Sequence, residues 1–142
     1  MKKILIINGP NLNFLGIRQK DIYGELSYDD LCKSLIEYSI DKVELEIYQS
    51  NHEGDIIDKI QEAYFNHIDG IIINPGAYTH TSIAVRDALA SVSIPTIEVH
   101  LTNIFEREEF RHQDYIYDLC FKHHIGEGIN GYFAAILDFI NK

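Results

Sequence analysis

The chain is short of positive charge, of cysteine and of long apolar runs. Lys and Arg number 12 against 22 Asp and Glu, for a formal net charge of -10. That balance excludes a polyanionic partner such as nucleic acid or an anionic membrane surface. No apolar stretch approaches the roughly 20 residues that cross a bilayer. Met1-Lys2-Lys3 resembles the start of a signal peptide, but the apolar run Ile4–Ile7 stops at Asn8-Gly9-Pro10, too short for a signal core. The two cysteines, Cys32 and Cys120, have neither metal nor redox spacing and read as reduced thiols of a cytoplasmic protein. No P-loop, nucleophile elbow, zinc spacing, linker, repeat or low-complexity tract occurs. Gly126-Glu127-Gly128-Ile129-Asn130-Gly131 matches G-x-G-x-x-G. It lies near the end of the chain, and no acidic residue follows about 20 residues on. These glycines read as a turn from the last strand into the last helix. His123-His124 is not a metal pair, because neighbours on a strand face opposite ways.

With 142 residues, 46 % of them hydrophobic, the chain is long and apolar enough to bury one core. Three times a short apolar run passes directly into a dense polar segment. Ile4–Ile7 meets Asn8-Gly9-Pro10-Asn11. Ile71–Ile73 meets Asn74-Pro75-Gly76-Ala77-Tyr78-Thr79-His80. Thr96–Val99 meets His100-Leu101-Thr102-Asn103. Runs of this kind are buried parallel strands, apolar on both faces. Helical patterns alternate with them: Tyr28, Leu31, Leu35 and Ile36 after a Ser27 cap; Ile56, Ile57, Ile60, Ala63 and Tyr64; a small-residue helix from about Thr81 to Val92; and Ile129, Phe133, Ile136, Leu137 and Ile140. Val43, Leu45 and Ile47 alternate with Glu44, Glu46 and Tyr48 as an edge strand, and a fifth strand falls near Cys120–Ile125. The expected fold class is α/β: a flavodoxin-like three-layer fold with a five-stranded parallel sheet, one domain over 1–142. Ligands of such sheets bind beyond the carboxyl ends of the strands, where the three polar segments gather.

The four arginines, Arg18, Arg86, Arg107 and Arg111, lie in or beside the polar segments, whereas the lysines are scattered. Guanidinium suits a bidentate grip on a small anion, although Arg107 and Arg111 also neighbour Glu106, Glu108 and Glu109. The loop from 9 to 26 is long for a compact domain and reads as a lid. It carries Arg18 and, five residues on, Tyr23. A guanidinium beside a phenol favours the phenolate, and a phenolate can take a proton next to a carbonyl. Tyr23 packing the loop down is the plainer alternative. Glu98 and His100 share one face of their strand. The carboxylate would fix the imidazole tautomer and raise its pKa, as suits a general acid. Asn74, His80 and Ser82 offer hydrogen bonds to hydroxyl groups, and backbone amides at the following helix start attract anions.

These residues resemble the type II 3-dehydroquinate dehydratases. Gly9-Pro10-Asn11-Leu12-Asn13, Leu15-Gly16, Arg18 and Tyr23-Gly24 are similar to the family's opening signature. Asn74-Pro75-Gly76-Ala77, Thr79-His80-Thr81-Ser82 and Arg86-Asp87-Ala88-Leu89 are similar to the second. Pro95, Ile97–Leu101, Asn103 and Arg107–His112 are similar to the third. The resemblance implies anti elimination of water from 3-dehydroquinate through an enolate, giving 3-dehydroshikimate in the shikimate pathway or in quinate breakdown. It implies a homododecamer, a tetramer of trimers, with neither metal nor organic cofactor. Residue by residue, it makes Tyr23 the base and Arg18 the group that lowers its pKa, with Arg107 sharing the electrostatic work. His100 becomes the acid, oriented by Glu98, and Asn11 orders a water at the enolate oxygen. Asn74, His80 and Arg111 hold substrate hydroxyls. Leu101 and Thr102 hold the carboxylate, and Asp87 reaches a neighbouring subunit's site. The sequence departs from the family pattern at Lys20, Thr102, Asp114, Tyr117 and Lys122-His123-His124. Two rivals stand beside this reading: a metal-assisted hydrolase using His80, His100 and Glu98, and a non-catalytic binding module on the same fold.

Overall fold

A computed structural model of the protein describes residues 1–17, 20–23 and 25–142, without the side chains of residues 22 and 23. Its strands are β1 (Lys3–Asn8), β2 (Glu44–Gln49), β3 (Gly70–Asn74), β4 (Thr96–His100) and β5 (Lys122–Ile125). Its helices are α1 (Lys20–Tyr23), α2 (Tyr28–Ser39), α3 (Glu53–Phe65), α4 (Ile83–Val92) and α5 (Asn130–Ile140). The strands form one parallel sheet in the order β2-β1-β3-β4-β5, the flavodoxin-like order, whose switch point lies between β1 and β3.

The continuous apolar runs become strands because both faces of the sheet are covered. Period two sends Ile4, Ile6, Ile72, Ile97 and Val99 to one face, where they pack with Leu31 and Leu35 of α2 and Ile136 and Phe139 of α5. It sends Leu5, Ile7, Ile71 and Ile73 to the other, against Ile56 and Ile60 of α3 and Val85 and Leu89 of α4. The edge strand β2 is only partly buried, as its alternating charges require. Ser27 caps α2 by accepting from the Asp30 N–H at 3.1 Å.

Three helix stripes differ from the sequence expectation. Ile36 and Tyr64 are exposed rather than buried. On α5 the buried face is Tyr132, Ala135, Ile136 and Phe139, and Leu137 is exposed. Helix α5 is apolar almost all round, so periodicity alone leaves the phase of its buried face open.

The switch point is built from backbone in close approach. A Cβ at Gly9 would lie 2.2 Å from the Pro75 carbonyl oxygen, so only glycine lets the loop after β1 cross the loop after β3. Gly76 returns the contact: its φ is +60°, and a Cβ there would stand 3.0 Å from the Pro10 carbonyl oxygen. Beneath them lies a buried polar knot. The Tyr132 hydroxyl donates to Asn8 Oδ1 at 2.6 Å and accepts from Asn74 Nδ2 at 3.1 Å. Thus α5 ties the last residues of β1 and β3 together. Tyr132→Phe would leave both amides short of a partner in the core, where an unpaired polar group costs about 1–3 kcal/mol. Urea unfolding should show a lower midpoint at unchanged slope; an unchanged midpoint would mean that the knot is replaceable.

Candidate active site

A cavity of about 170 Å³ opens at the carboxyl edge of the sheet, lined by Asn11, Asn74, His80, His100, Arg107 and Arg111 among others. It is smaller than the ~300–1,000 Å³ of drug-sized pockets and suits a single small ring. Leu101 and Thr102 form part of its wall. A second hollow of about 600 Å³, beside Lys3, Glu44 and His67, is at the opposite edge and lacks convergent catalytic groups.

Each strand end delivers its residues through a tight turn. Asn11, just after β1, sits in the left-handed region at φ 70°, and its N–H donates to Asn51 Oδ1 at 3.0 Å. Asn74 ends β3 with its amide already engaged: Nδ2 donates to Tyr132, and Oδ1 accepts from the Gly76 N–H at 3.2 Å. His80 closes a 3-10 turn, Gly76–His80. Its Nδ1 donates to the Gln113 carbonyl at 2.8 Å, which leaves Nε2 for a ligand. Burial holds His80 below the usual imidazole range, so it meets a ligand as a neutral ring. Arg107 and Arg111 flank Glu108, which lies 3.2 Å from Arg111 Nε and 3.6 Å from Arg107 Nε. One carboxylate thus holds two guanidiniums in place at the pocket.

An imidazole–carboxyl pair stands on β4. His100 Nε2 lies 2.7 Å from Glu98 Oε2, and Glu98 is fully buried. The two do share one face, as the period-two spacing requires. Their titration runs opposite to the sequence expectation, however. Burial pushes His100 down to about 4 and pushes Glu98 up. Desolvation of a fully buried group is worth up to 3–5 pH units, whereas an opposite charge is worth 1–3. Burial therefore wins, and His100 rests as a neutral imidazole.

The ends of β4 and β5 are clamped by the glycine-containing segment that follows β5. Gly126 N–H donates to the His100 carbonyl and Gly128 N–H to the Leu101 carbonyl, each at 3.0 Å. This is the work of the G-x-G-x-x-G match, and it concerns the backbone of the site rather than a dinucleotide.

The family profile Dehydroquinase class II matches residues 2–140. The chain belongs to the class II dehydroquinases. It is 57 % identical to a 3-dehydroquinate dehydratase of Caldicellulosiruptor bescii over 137 residues, covering 96 % of this chain and 94 % of that one. It is likewise 57 % identical to one of Lachnospira eligens, covering 94 % and 92 %. Among solved structures, a type II dehydroquinase from Butyrivibrio crossotus superposes with a TM-score of 0.95 at 60 % identity, covering 99 % of this chain and 98 % of that one. A type II dehydroquinase from Propionibacterium acnes also superposes at 0.95, with 38 % identity, over 100 % and 98 %.

As a class II dehydroquinase, the chain gathers Asn11, Asn74, His80, His100, Leu101, Thr102, Arg107 and Arg111 around one cavity, with Glu98 behind His100. Asp87 is exposed on α4 and is not among the residues lining this cavity. Ser82 is not at the cavity either: it caps α4, its hydroxyl accepting from the Val85 N–H at 2.9 Å. Helix α4 begins at Ile83 rather than Thr81, and none of its residues lines the cavity. Arg86 pairs with Asp118 and donates to the Tyr115 carbonyl at 2.7 Å, an ordinary structural tie. Arg18 lies outside the described residues. Tyr23 ends α1, and its side chain lies outside them too.

The metal set His80, His100 and Glu98 is not assembled among the described residues. The compact groups there are Glu98, His100 and Asp114, and Glu98, Cys120 and His123. On β5, His123 faces Glu98 at 3.7 Å, while His124 turns the other way, its two nitrogens 2.8 and 2.6 Å from Glu127 and Asp138. Those polar contacts, with the His123 Nε2 bond to the Tyr117 carbonyl, are how a strand reading Lys122-His123-His124 is accommodated. Sequence reasoning missed Asp114 and Tyr132 as parts of the site. Asp114 shares no strand with Glu98, and no periodic pattern connects them.

Proposed function

We propose that the chain is a 3-dehydroquinate dehydratase, a lyase of the shikimate pathway, converting 3-dehydroquinate to 3-dehydroshikimate and water. The family match over residues 2–140 carries this reading, and relatives named 3-dehydroquinate dehydratase at 51–57 % identity support it. The buried imidazole–carboxyl pair beside two arginines is chemistry that suits eliminating water from a small oxygen-rich anion.

In this proposal the Tyr23 phenolate, favoured by Arg18, removes the proton next to the ketone, and the electron pair moves onto the carbonyl oxygen as an enolate. Arg107 and an Asn11-ordered water stabilise that charge. The enolate then collapses, the C–O bond breaks on the opposite face, and the hydroxyl leaves as water with a proton from His100. Asn74, His80 and Arg111 hold the ring hydroxyls, and Leu101 and Thr102 hold the carboxylate. The segment from 9 to 26 serves as the lid of a single catalytic domain. We further propose a cytoplasmic enzyme acting as a homododecamer, in which exposed Asp87 completes a neighbour's site.

The test is direct. The product is a conjugated enone, so absorbance should rise when purified protein meets 3-dehydroquinate, and exhaustive chelation should leave the rate unchanged. No absorbance change at saturating substrate would overturn the function. Loss of activity on chelation would favour a metal-assisted route.

A further inference from the structure

Behind His100 is an oxygen pair that the dehydration scheme does not use. Glu98 Oε1 and Asp114 Oδ2 are both sealed from solvent, and neither has a donor among the described residues. The other oxygen of each is engaged: Glu98 Oε2 lies on His100 Nε2 at 2.7 Å, and Asp114 Oδ1 accepts the Ile116 N–H at 3.0 Å. Carboxylate oxygens of Glu98 and Asp114 and a nitrogen of His100 all lie within 4.8 Å of one another. Two adjoining buried carboxylates cannot both ionise without a cation or a proton between them.

We propose that Glu98 and Asp114 share one proton at neutral pH, and that this pair is the proton reserve behind His100. Asp114 is then a positioning residue of the dehydration, acting through Glu98. The inference rests on the proposed function for its kinetic meaning, but the shared proton itself can be observed without substrate.

The directions of titration agree. Burial first, then the hydrogen bond and the charge of Glu98, raise Asp114 to about 8, and burial raises Glu98. The other titratable groups around the pair are His100, His123, Cys120, His80, Arg111 and Asp118. His123 Nε2 is committed to the Tyr117 carbonyl at 2.8 Å. Cys120 is held as a thiol by burial and by the Glu98, Asp114 and Asp118 carboxyls. Arg111 is tied to Glu108 and Asp118 to Arg86. None of these supplies the missing donor.

The reserve explains how a neutral imidazole can act as the acid. The Nδ1–H bond breaks as the departing hydroxyl gains its proton. The one shared proton leaves the Glu98–Asp114 pair as Nε2 gains it, and the new Nε2–H donates back to Glu98 Oε2. After water departs, Nδ1 takes a proton from solvent as Nε2 returns its own to the Glu98–Asp114 pair, while the proton held by Tyr23 returns to solvent. The cycle ends with no net change of charge.

Infrared spectroscopy of the unliganded enzyme tests the pair. At pH 7 a deuterium-sensitive protonated-carboxyl band should be present, and it should titrate away near pH 8. Asp114→Asn and Glu98→Gln should each abolish it. In kinetics, wild-type kcat should fall as pH rises through about 8 and the reserve empties. Asp114→Asn keeps the hydrogen bonds but cannot be a reserve. Its kcat should drop toward the ~10²-fold lower end of an acid–base contribution, with KM nearly unchanged and the step near pH 8 gone. A stability readout accompanies these. A carboxyl raised on folding stabilises fully below its unfolded value, about 3.9, and that contribution is lost as pH rises through about 8. The wild-type melting temperature should therefore decline over that window more steeply than that of Asp114→Asn. Absence of the band in an enzyme that turns over 3-dehydroquinate overturns the reserve alone. One-to-one zinc binding that Asp114→Asn abolishes, without the band, overturns it in favour of a cation. A band present in a protein without turnover leaves the pair intact and overturns the proposed function instead.

Discussion

Tyr23→Phe is expected to lower kcat for 3-dehydroquinate by about 10²–10⁴-fold, the range of a general base, with KM changing little. The substitution removes one oxygen and keeps the ring, so the only proposed proton acceptor near the ketone is lost with the least change to the side chain. The base must be tuned to work at all. An ordinary phenol, with a pKa near 10, is about a thousandfold under-ionised at pH 7. A guanidinium within reach lowers that by about 1–3 units, and Arg18 lies five residues before Tyr23 in the chain. Steady-state kinetics with a circular dichroism control decides the matter. A folded Tyr23→Phe enzyme within a few-fold of wild-type kcat would require a different base.

The second large effect is expected at His100. His100→Ala should lose about 10²–10⁴-fold in kcat while KM changes little, because a proton to the leaving hydroxyl is given in the transition state and not in the bound ground state. Glu98 is not free to replace it. Its Oε2 is 2.7 Å from His100 Nε2, and β4 is buried throughout, so Glu98 cannot advance to the substrate. The variant also strips Glu98 of a partner, and this adds a loss of stability of about 1–3 kcal/mol. A rise in KM with kcat unchanged would instead mark His100 as a binding group. Unlike Tyr132→Phe, which should act on stability, His100→Ala should show its main effect in turnover.

The architecture was legible because the strands are locally overdetermined. Ile4–Ile7 and Ile71–Ile73 are β-branched or branched apolar residues that only a sheet covered on both faces can bury, and β1, β3 and β4 formed where they stand. The same logic fails on α5. There Tyr132, Phe133, Ile136, Leu137, Phe139 and Ile140 are apolar in nearly every direction, so which of them meets the sheet depends on how the helix docks. Ser82 offers a parallel case. A serine beside a polar segment can cap a helix or bind a ligand, and only the start of α4 at Ile83 assigns it to the cap.

The site divides along the same line. That Glu98 and His100 face one way follows from the two-residue period of a strand, and that they meet the polar ends of β1 and β3 follows from a parallel sheet. Both are short-range or topological facts, written in the order of residues. The protonation of that pair is not. It depends on how completely solvent is excluded and on Asp114, brought beneath β4 by the chain's path after Arg111. Desolvation sums over every neighbouring atom, so it becomes determinate only once the chain has closed around the pair. It was this closure that turned an expected imidazolium–carboxylate pair into a neutral imidazole backed by two carboxyl groups.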